Sequence, residues 1–159
     1  MKKIALLTLL FVIVLCAVAC AAVTYKDDVA TSDIAAAVDK KISNSDVLVT
    51  ADELYFDYFN KEYASLVAEY TIKYSASGSL FDEYGIFKVA DAADTDKIVT
   101  MIEEFKQYRI DADMGYLPLE LPKIKDAKIK VVGNYVMYTF LSDADSTAAF
   151  SELEAMLTK

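Results

Sequence analysis

The stretch Leu66-Val67-Ala68-Glu69-Tyr70-Thr71-Ile72-Lys73-Tyr74-Ser75 alternates: Leu66, Ala68, Tyr70, Ile72 and Tyr74 are apolar or aromatic, and the residues between them are mostly polar. Successive side chains of a strand point to opposite faces, so a period of two marks a half-buried strand. Ser75-Ala76-Ser77-Gly78-Ser79 is a loop by composition, and Tyr84–Val89 reads as a second strand. The period then lengthens: from Asp91 to about Gln107, Ile98, Met101, Ile102 and Phe105 fall on one helical face. The order strand, strand, helix returns downstream. Ala127–Val132 and Tyr135–Leu141 are β-rich runs separated by Gly133-Asn134, a pair suited to a tight hairpin turn, and Asp143–Leu157 carries the last helical pattern. Asp91, Ala92, Thr95, Ile98, Met101 and Phe105 align without gaps on Asp143, Ala144, Thr147, Phe150, Leu153 and Leu157, at a constant offset of 52.

Two ββα units of this kind predict an α+β fold: a four-stranded, mainly antiparallel sheet with both long helices on one face, so that every apolar stripe enters a single core. Two shorter helices are expected before it. Ile34, Val38 and Ile42 are spaced by four, with Thr31 or Ser32 as N-cap. Thr50-x-x-Glu53 has the form of a capping box, followed by the apolar residues Leu54, Tyr55, Tyr58 and Phe59. Tyr116-Leu117-Pro118 and Pro122 mark an extended connection between the units.

The N-terminus follows different rules. Lys2 and Lys3 precede an unbroken apolar run from Ile4 to Leu15, and Ala17, Val18 and Ala19 stand directly before Cys20. A charged n-region, an apolar h-region and small residues before the cut make residues 1–19 a signal peptide of lipoprotein type, with Cys20 as the lipidated residue. The competing reading is an uncleaved anchor, since Ile4–Val23 is 20 residues with only Thr8 polar, long enough for a hydrocarbon core of about 30 Å. Both readings place the rest of the chain outside the cytoplasmic membrane, because Lys2 and Lys3 stay inside. Residues 20–31 read as a tether and 32–159 as one domain.

Composition removes several classes of activity. With Lys2 and Lys3 cleaved off, 14 basic residues face 25 acidic ones, a net charge of −11, which argues against nucleic acid as a partner. Lys123, Lys125, Lys128 and Lys130 are the one basic run, read first as lysines guarding a sheet edge and second as an anion or headgroup contact. There is no histidine, and the only cysteines are Cys16 and Cys20, so Ser-His-Asp and Cys-His catalysis and His or Cys zinc sites are excluded. The four glycines build no phosphate-binding loop. Asp111-Ala112-Asp113-Met114-Gly115 fails the calcium-loop register, which needs Gly sixth and Glu twelfth. Neither a metal nor a cofactor is expected. The eleven tyrosines either seal sheet faces or form a platform for sugar or peptide.

Ser75-Ala76-Ser77, Asp82-Glu83, Ile86-Phe87-Lys88-Val89, Tyr116-Leu117-Pro118 and Val132-Gly133-Asn134-Tyr135-Val136 together resemble a family of small lipoproteins of low-GC Gram-positive bacteria, especially clostridial ones, catalogued only as a domain of unknown function. The resemblance spans roughly residues 33–142 and implies no activity, ligand or catalytic residue. The function expected is that of a lipid-anchored, non-catalytic binding or interaction module on the outer face of the cytoplasmic membrane, meeting an envelope protein or cell-wall ligand. The alternative is a carboxylate-dependent hydrolase of cell-wall glycans using residues such as Asp82, Glu83, Glu69 or Asp57. The candidate ligand site is the loop with Ser75, Ser77 and Ser79, followed by Asp82 and Glu83; the competing reading is an ordinary hairpin connection.

Overall fold

A computed structural model describes residues 24–113 and 115–159; the expected signal segment and Cys20 lie outside them. The alternating stretch is a strand, β2 (Val67–Ser75), paired with β3 (Glu83–Val89) in the expected antiparallel hairpin. β4 (Lys128–Val132) and β5 (Tyr135–Phe140) form the second hairpin, turning at Gly133 with φ +59°. A fifth strand, β1 (Leu48–Thr50), adds an edge beside β2, giving one antiparallel sheet in the order β1-β2-β3-β5-β4. Three residues are too few to show a period, so this strand carries no signal in the sequence. Thr50 pairs with Lys73 instead of capping a helix. Asp52 is the cap there, its carboxylate accepting from Leu54 N and Tyr55 N at the start of a 3-10 helix, Glu53–Tyr58, and a second 3-10 helix follows over Lys61–Leu66.

Among the described residues, four α-helices complete the fold: α1 (Thr31–Val38), α2 (Thr95–Asp113), α3 (Leu121–Lys125) and α4 (Asp143–Leu157). In α1, Ile34 and Val38 are buried with Ile42 just beyond it, as their spacing predicts. Its terminus is closed from a distance, since Glu69 Oε1 on β2 accepts from Thr31 N at 2.8 Å and Thr31 Oγ1 at 2.9 Å. A carboxylate there also opposes the positive end of the helix. The expected extended connection at Pro122 is instead the first turn of α3, where a missing N–H costs nothing.

The helices do not share a face. α1 and α4 cover Tyr84, Ile86, Tyr135 and Met137, whereas α2, α3 and the 3-10 segment at Phe59 cover Phe87, Val89, Val136, Tyr138 and Phe140. β3 and β5 are apolar on both faces, so cover on one side would leave the other wet. The two ββα units therefore carry their helices on opposite sides. A rotation about the sheet normal that brings one hairpin onto the other leaves the helices on different faces, so the units are of opposite hand.

Part of the segment read as tether packs on the domain. Tyr25 forms a β-bridge with Thr158, Lys26 N donates to Leu157 O at 2.7 Å, Lys159 N donates to Thr24 O at 3.1 Å, and Tyr135 Oη donates to Val29 O at 2.6 Å. Residues within 24–29, read from the sequence as tether, are thus hydrogen-bonded to the folded domain. Among the described residues, no helix is long and apolar enough to cross a membrane.

Candidate functional site

The hairpin loop between β2 and β3 holds its serines to one another. Ser75 Oγ accepts from Ser77 N at 3.2 Å, Ser77 Oγ accepts from Ser79 N at 3.3 Å, and the Ser77 and Ser79 hydroxyls share a 2.7 Å hydrogen bond. These are the local turns that serine makes in any connection.

Asp82 and Glu83 follow in sequence but leave the surface. Asp82 is 4% exposed; it accepts from Lys123 Nζ at 2.5 Å and from Asn44 Nδ2 at 3.1 Å. Lys123 also reaches Glu120 at 2.7 Å, and Glu120 in turn accepts from Phe81 N at 3.1 Å. Burial works against the Lys123 charge, but the hydrogen bonds it donates to Asp82 and Glu120 outweigh it and raise the pKa of the ammonium. Burial likewise opposes the Glu120 charge, and the Lys123 hydrogen bond overrides it, leaving the Glu120 carboxyl lowered. The first reading of the lysine run, a solvated strand face, thus fails for Lys123, while Lys128 and Lys130 on edge strand β4 pair with Asp143 and Glu154.

Glu83 is 1% exposed and opens β3 on the α2 face. Its Oε1 accepts from Tyr138 Oη at 2.5 Å, and its Oε2 accepts from Tyr55 Oη at 2.7 Å and from the Arg109 guanidinium. Arg109 Nη1 also donates to Tyr55 Oη at 2.9 Å, and its guanidinium lies 5.6–5.8 Å from the ring centroids of Phe81, Phe105 and Phe140. The arrangement is charge-balanced and hydrogen-bonded throughout, as a buried ion pair requires. Burial raises the Tyr55 and Tyr138 hydroxyls above the ordinary phenol range, and the Glu83 charge raises them further. Burial alone would lower Arg109, but Glu83 holds it well above its ordinary value, so the guanidinium is charged at every accessible pH. Gly85 makes room for this network, since a Cβ there would lie 2.2 Å from the Tyr138 ring.

Above the ion pair the surface is recessed. A cleft of about 290 Å³ is lined by Tyr55, Tyr58, Tyr74, Tyr108, Arg109 and Ala112. Tyr55 stacks on Tyr74 with centroids 4.8 Å apart and meets Tyr58 edge-on at 5.2 Å; Tyr58 and Tyr108 stack at 6.0 Å. Tyr58 and Tyr108 are 53% and 47% exposed, so their rings present area to solvent. A second recess of about 200 Å³, bounded by Phe81, Asp113 and Tyr116, shares Arg109 and Ala112 with the first. Among the described residues, Nη1 is the only Arg109 nitrogen with a hydrogen-bond partner, and no buried side-chain nitrogen lacks one. Nε and Nη2 are therefore not fully buried, and Arg109, its side chain 21% exposed, borders both recesses. A wider recess of about 660 Å³, near Ala51, Phe56 and Ala68, has no such convergence, because its Glu69 is committed to Thr31 and its Asp57 to Lys61.

The family model described as Domain of unknown function (DUF4358) matches residues 52–141. The chain belongs to that family. The span of the match contains Tyr55, Glu83, Arg109, Lys123 and Tyr138, whereas α1, β1 and α4 fall outside the DUF4358 region. No curated protein and no solved structure matches the chain.

Of the expected site residues, the structure brings Asp82 and Glu83 into buried ion pairs and leaves Ser75, Ser77 and Ser79 in a self-satisfied loop. Tyr55, Tyr58, Tyr108 and Arg109 are separated in sequence and meet only in the fold. One signal was present in the sequence: Arg109 is the single arginine among 16 basic residues. Among the described residues, no group of three or more His, Cys, Asp or Glu side chains is placed to hold a metal.

Proposed function

We propose that this chain is a lipoprotein of the bacterial cell envelope, anchored through Cys20 on the outer face of the cytoplasmic membrane, and that it is a binding domain whose ligand sits in the tyrosine cleft over Arg109. The observation that carries the proposal is the convergence of Tyr55, Tyr58, Tyr74 and Tyr108 on a guanidinium that a buried carboxylate holds in place. A concave site lined by aromatic area with a few fixed polar groups is the usual form of a ligand pocket. Tyrosine supplies contact area at low entropic cost, having few rotatable bonds. A hydrolase of cell-wall glycans is the weaker reading. It needs two carboxylates facing one bond, one free to give up a proton, whereas Asp82 and Glu83 each spend their oxygens on a cation and neighbouring donors inside the protein.

The test is capture from crosslinked envelopes by the full chain and by a Tyr58→Ala, Tyr108→Ala variant. Both side chains are about half exposed, so the variant keeps its melting temperature within a few degrees. Loss of the captured material is the expected outcome; capture equal to wild type removes the cleft as the site.

A further inference from the structure

We infer that the cleft takes an uncharged saccharide, one sugar ring packing against Tyr58 and Tyr108 while the open N–H groups of Arg109 donate to its hydroxyls. This rests on the cleft being the ligand site. Charge is the first discriminant. Arg109 is bonded to Glu83, so the site offers an anion no net positive charge, and the whole chain carries −9. A cation would meet the N–H groups of Arg109, which are donors only and offer it no lone pair. A neutral ligand remains.

Chemistry is the second. Tyr58 and Tyr108 present half-exposed rings, apolar on the face and polar at the hydroxyl, and a sugar ring has the same division between its C–H face and its hydroxyl rim. Nε and Nη2 of Arg109 are donors only, fixed in direction by the bonds that Nη1 makes to Glu83 and Tyr55. They fit the oxygens of a polyol. Shape is the third. About 290 Å³ is at the small end of ligand pockets and matches a single ring. The other neutral class that favours tyrosine is the proline-rich peptide, which advances about 3.1 Å per residue and needs a long groove.

Position agrees. Tyr25 packs against Gly133 at the end of the sheet that holds Val89 and Asn134, so the chain enters the domain there. The cleft lies at the other end, where Tyr74 pairs with Glu83, six residues and about 20 Å along β3. Cys20 is only four residues from Thr24, a reach of at most about 14 Å. An anchor at Cys20 therefore turns the cleft away from the bilayer and toward the glycan-bearing layers outside.

The experiment uses the full chain in detergent and two neutral probes, the β-1,4-linked tetramers of glucose and of N-acetylglucosamine. The chain has eleven tyrosines and no tryptophan, so its intrinsic emission comes from tyrosine, and four of the eleven line the cleft; the Tyr58 and Tyr108 variants identify their share of the response. Saturable quenching by at least one probe, weakened about tenfold by Tyr58→Ala and again by Tyr108→Ala, is the expected result. The affinity should be unchanged between low and high salt, since no net charge is neutralised. Arg109→Lys keeps the cation but loses the fork and should weaken binding; it also disturbs the pair with Glu83, so its binding is read beside its own melting temperature and beside the half-exposed tyrosine variants. No saturable response to either tetramer, a response that the tyrosine variants leave intact, or binding only of a proline-rich dodecapeptide overturns the inference. If envelope capture depends on Tyr58 and Tyr108 while neither tetramer binds, the saccharide assignment falls and the cleft stands. If capture is also indifferent to them, both fall.

Discussion

Ser79 and Glu83 are four residues apart, yet they belong to different parts of the molecule. The serine loop is exposed and the hydrogen bonds of its serine side chains are all local, within two residues along the chain. Glu83 is buried, and its partners Tyr55, Arg109 and Tyr138 come from 26 to 55 residues away. The difference teaches how polar residues divide their labour. Polar groups that can satisfy themselves locally build a turn, and those that must leave water recruit partners from distant elements. The first kind tolerates change, while the second ties elements together. Each prediction below probes that division, beginning where the long-range partners are most committed.

Glu83→Ala should have the largest effect. It leaves the Arg109 guanidinium, whose side chain is 21% exposed, without its carboxylate, and removes the acceptor of both tyrosine hydroxyls. Breaking a buried pair from one side typically costs about 3–5 kcal/mol. The urea midpoint of the variant should fall accordingly, with the slope unchanged. A loss under about 1 kcal/mol would mean that Glu83 is as dispensable as the loop serines.

Gly85→Ala should come next. The glycine lies on the same face of β3 as Glu83, and the ring of Tyr138 crosses it to reach the carboxylate. An added Cβ would push that ring and strain both the strand and the hydrogen bond, at a cost of about 1–3 kcal/mol. The change is tested by thermal unfolding, and adding Tyr138→Leu should recover part of the loss that Gly85→Ala causes, because the obstructing ring is gone. Additive losses in the double variant would show that Gly85 matters only as backbone.

Much of the architecture was legible in the sequence because it rests on periodicity. The alternation over Leu66–Tyr74 marks β2, the Gly133-Asn134 pair marks the second hairpin, and the spacing of Ile98, Met101, Ile102 and Phe105 marks the buried face of α2. What periodicity does not encode is which face a helix covers. The double-sided burial of β3 and β5 shows as uninterrupted apolar character in Ile86-Phe87 and Tyr135-Val136-Met137-Tyr138, and that was the available sign that one layer of helices was too few. The site was less legible. Asp82-Glu83 stands out in the sequence as a charged pair after the serine loop, but nothing local shows that Glu83 turns inward to meet an arginine 26 residues later. Tyr55, Tyr58 and Tyr108 carry a helical or 3-10 pattern in their own segments and converge only through the tertiary fold.

The smallest effect is expected in the loop. Ser77→Ala and Ser79→Ala together remove the hydroxyl pair at 2.7 Å and one backbone acceptor, all of them at exposed positions where water replaces what is lost. Gly78 has open space around it, so the loop has room to relax. The sheet register next to it is set elsewhere, by Ser75 N donating to Asp82 O and by the Tyr74–Glu83 pairing, both of which use the backbone and survive the change. The double variant should therefore stay within about 0.5 kcal/mol of the parent. The capture of envelope material should also be unaffected, because neither hydroxyl borders the tyrosine cleft. Stability and capture are measured on the same preparation. A fall in capture with stability intact would move the recognition site from the Arg109 cleft to the serine loop, and with it the division of labour drawn between the two.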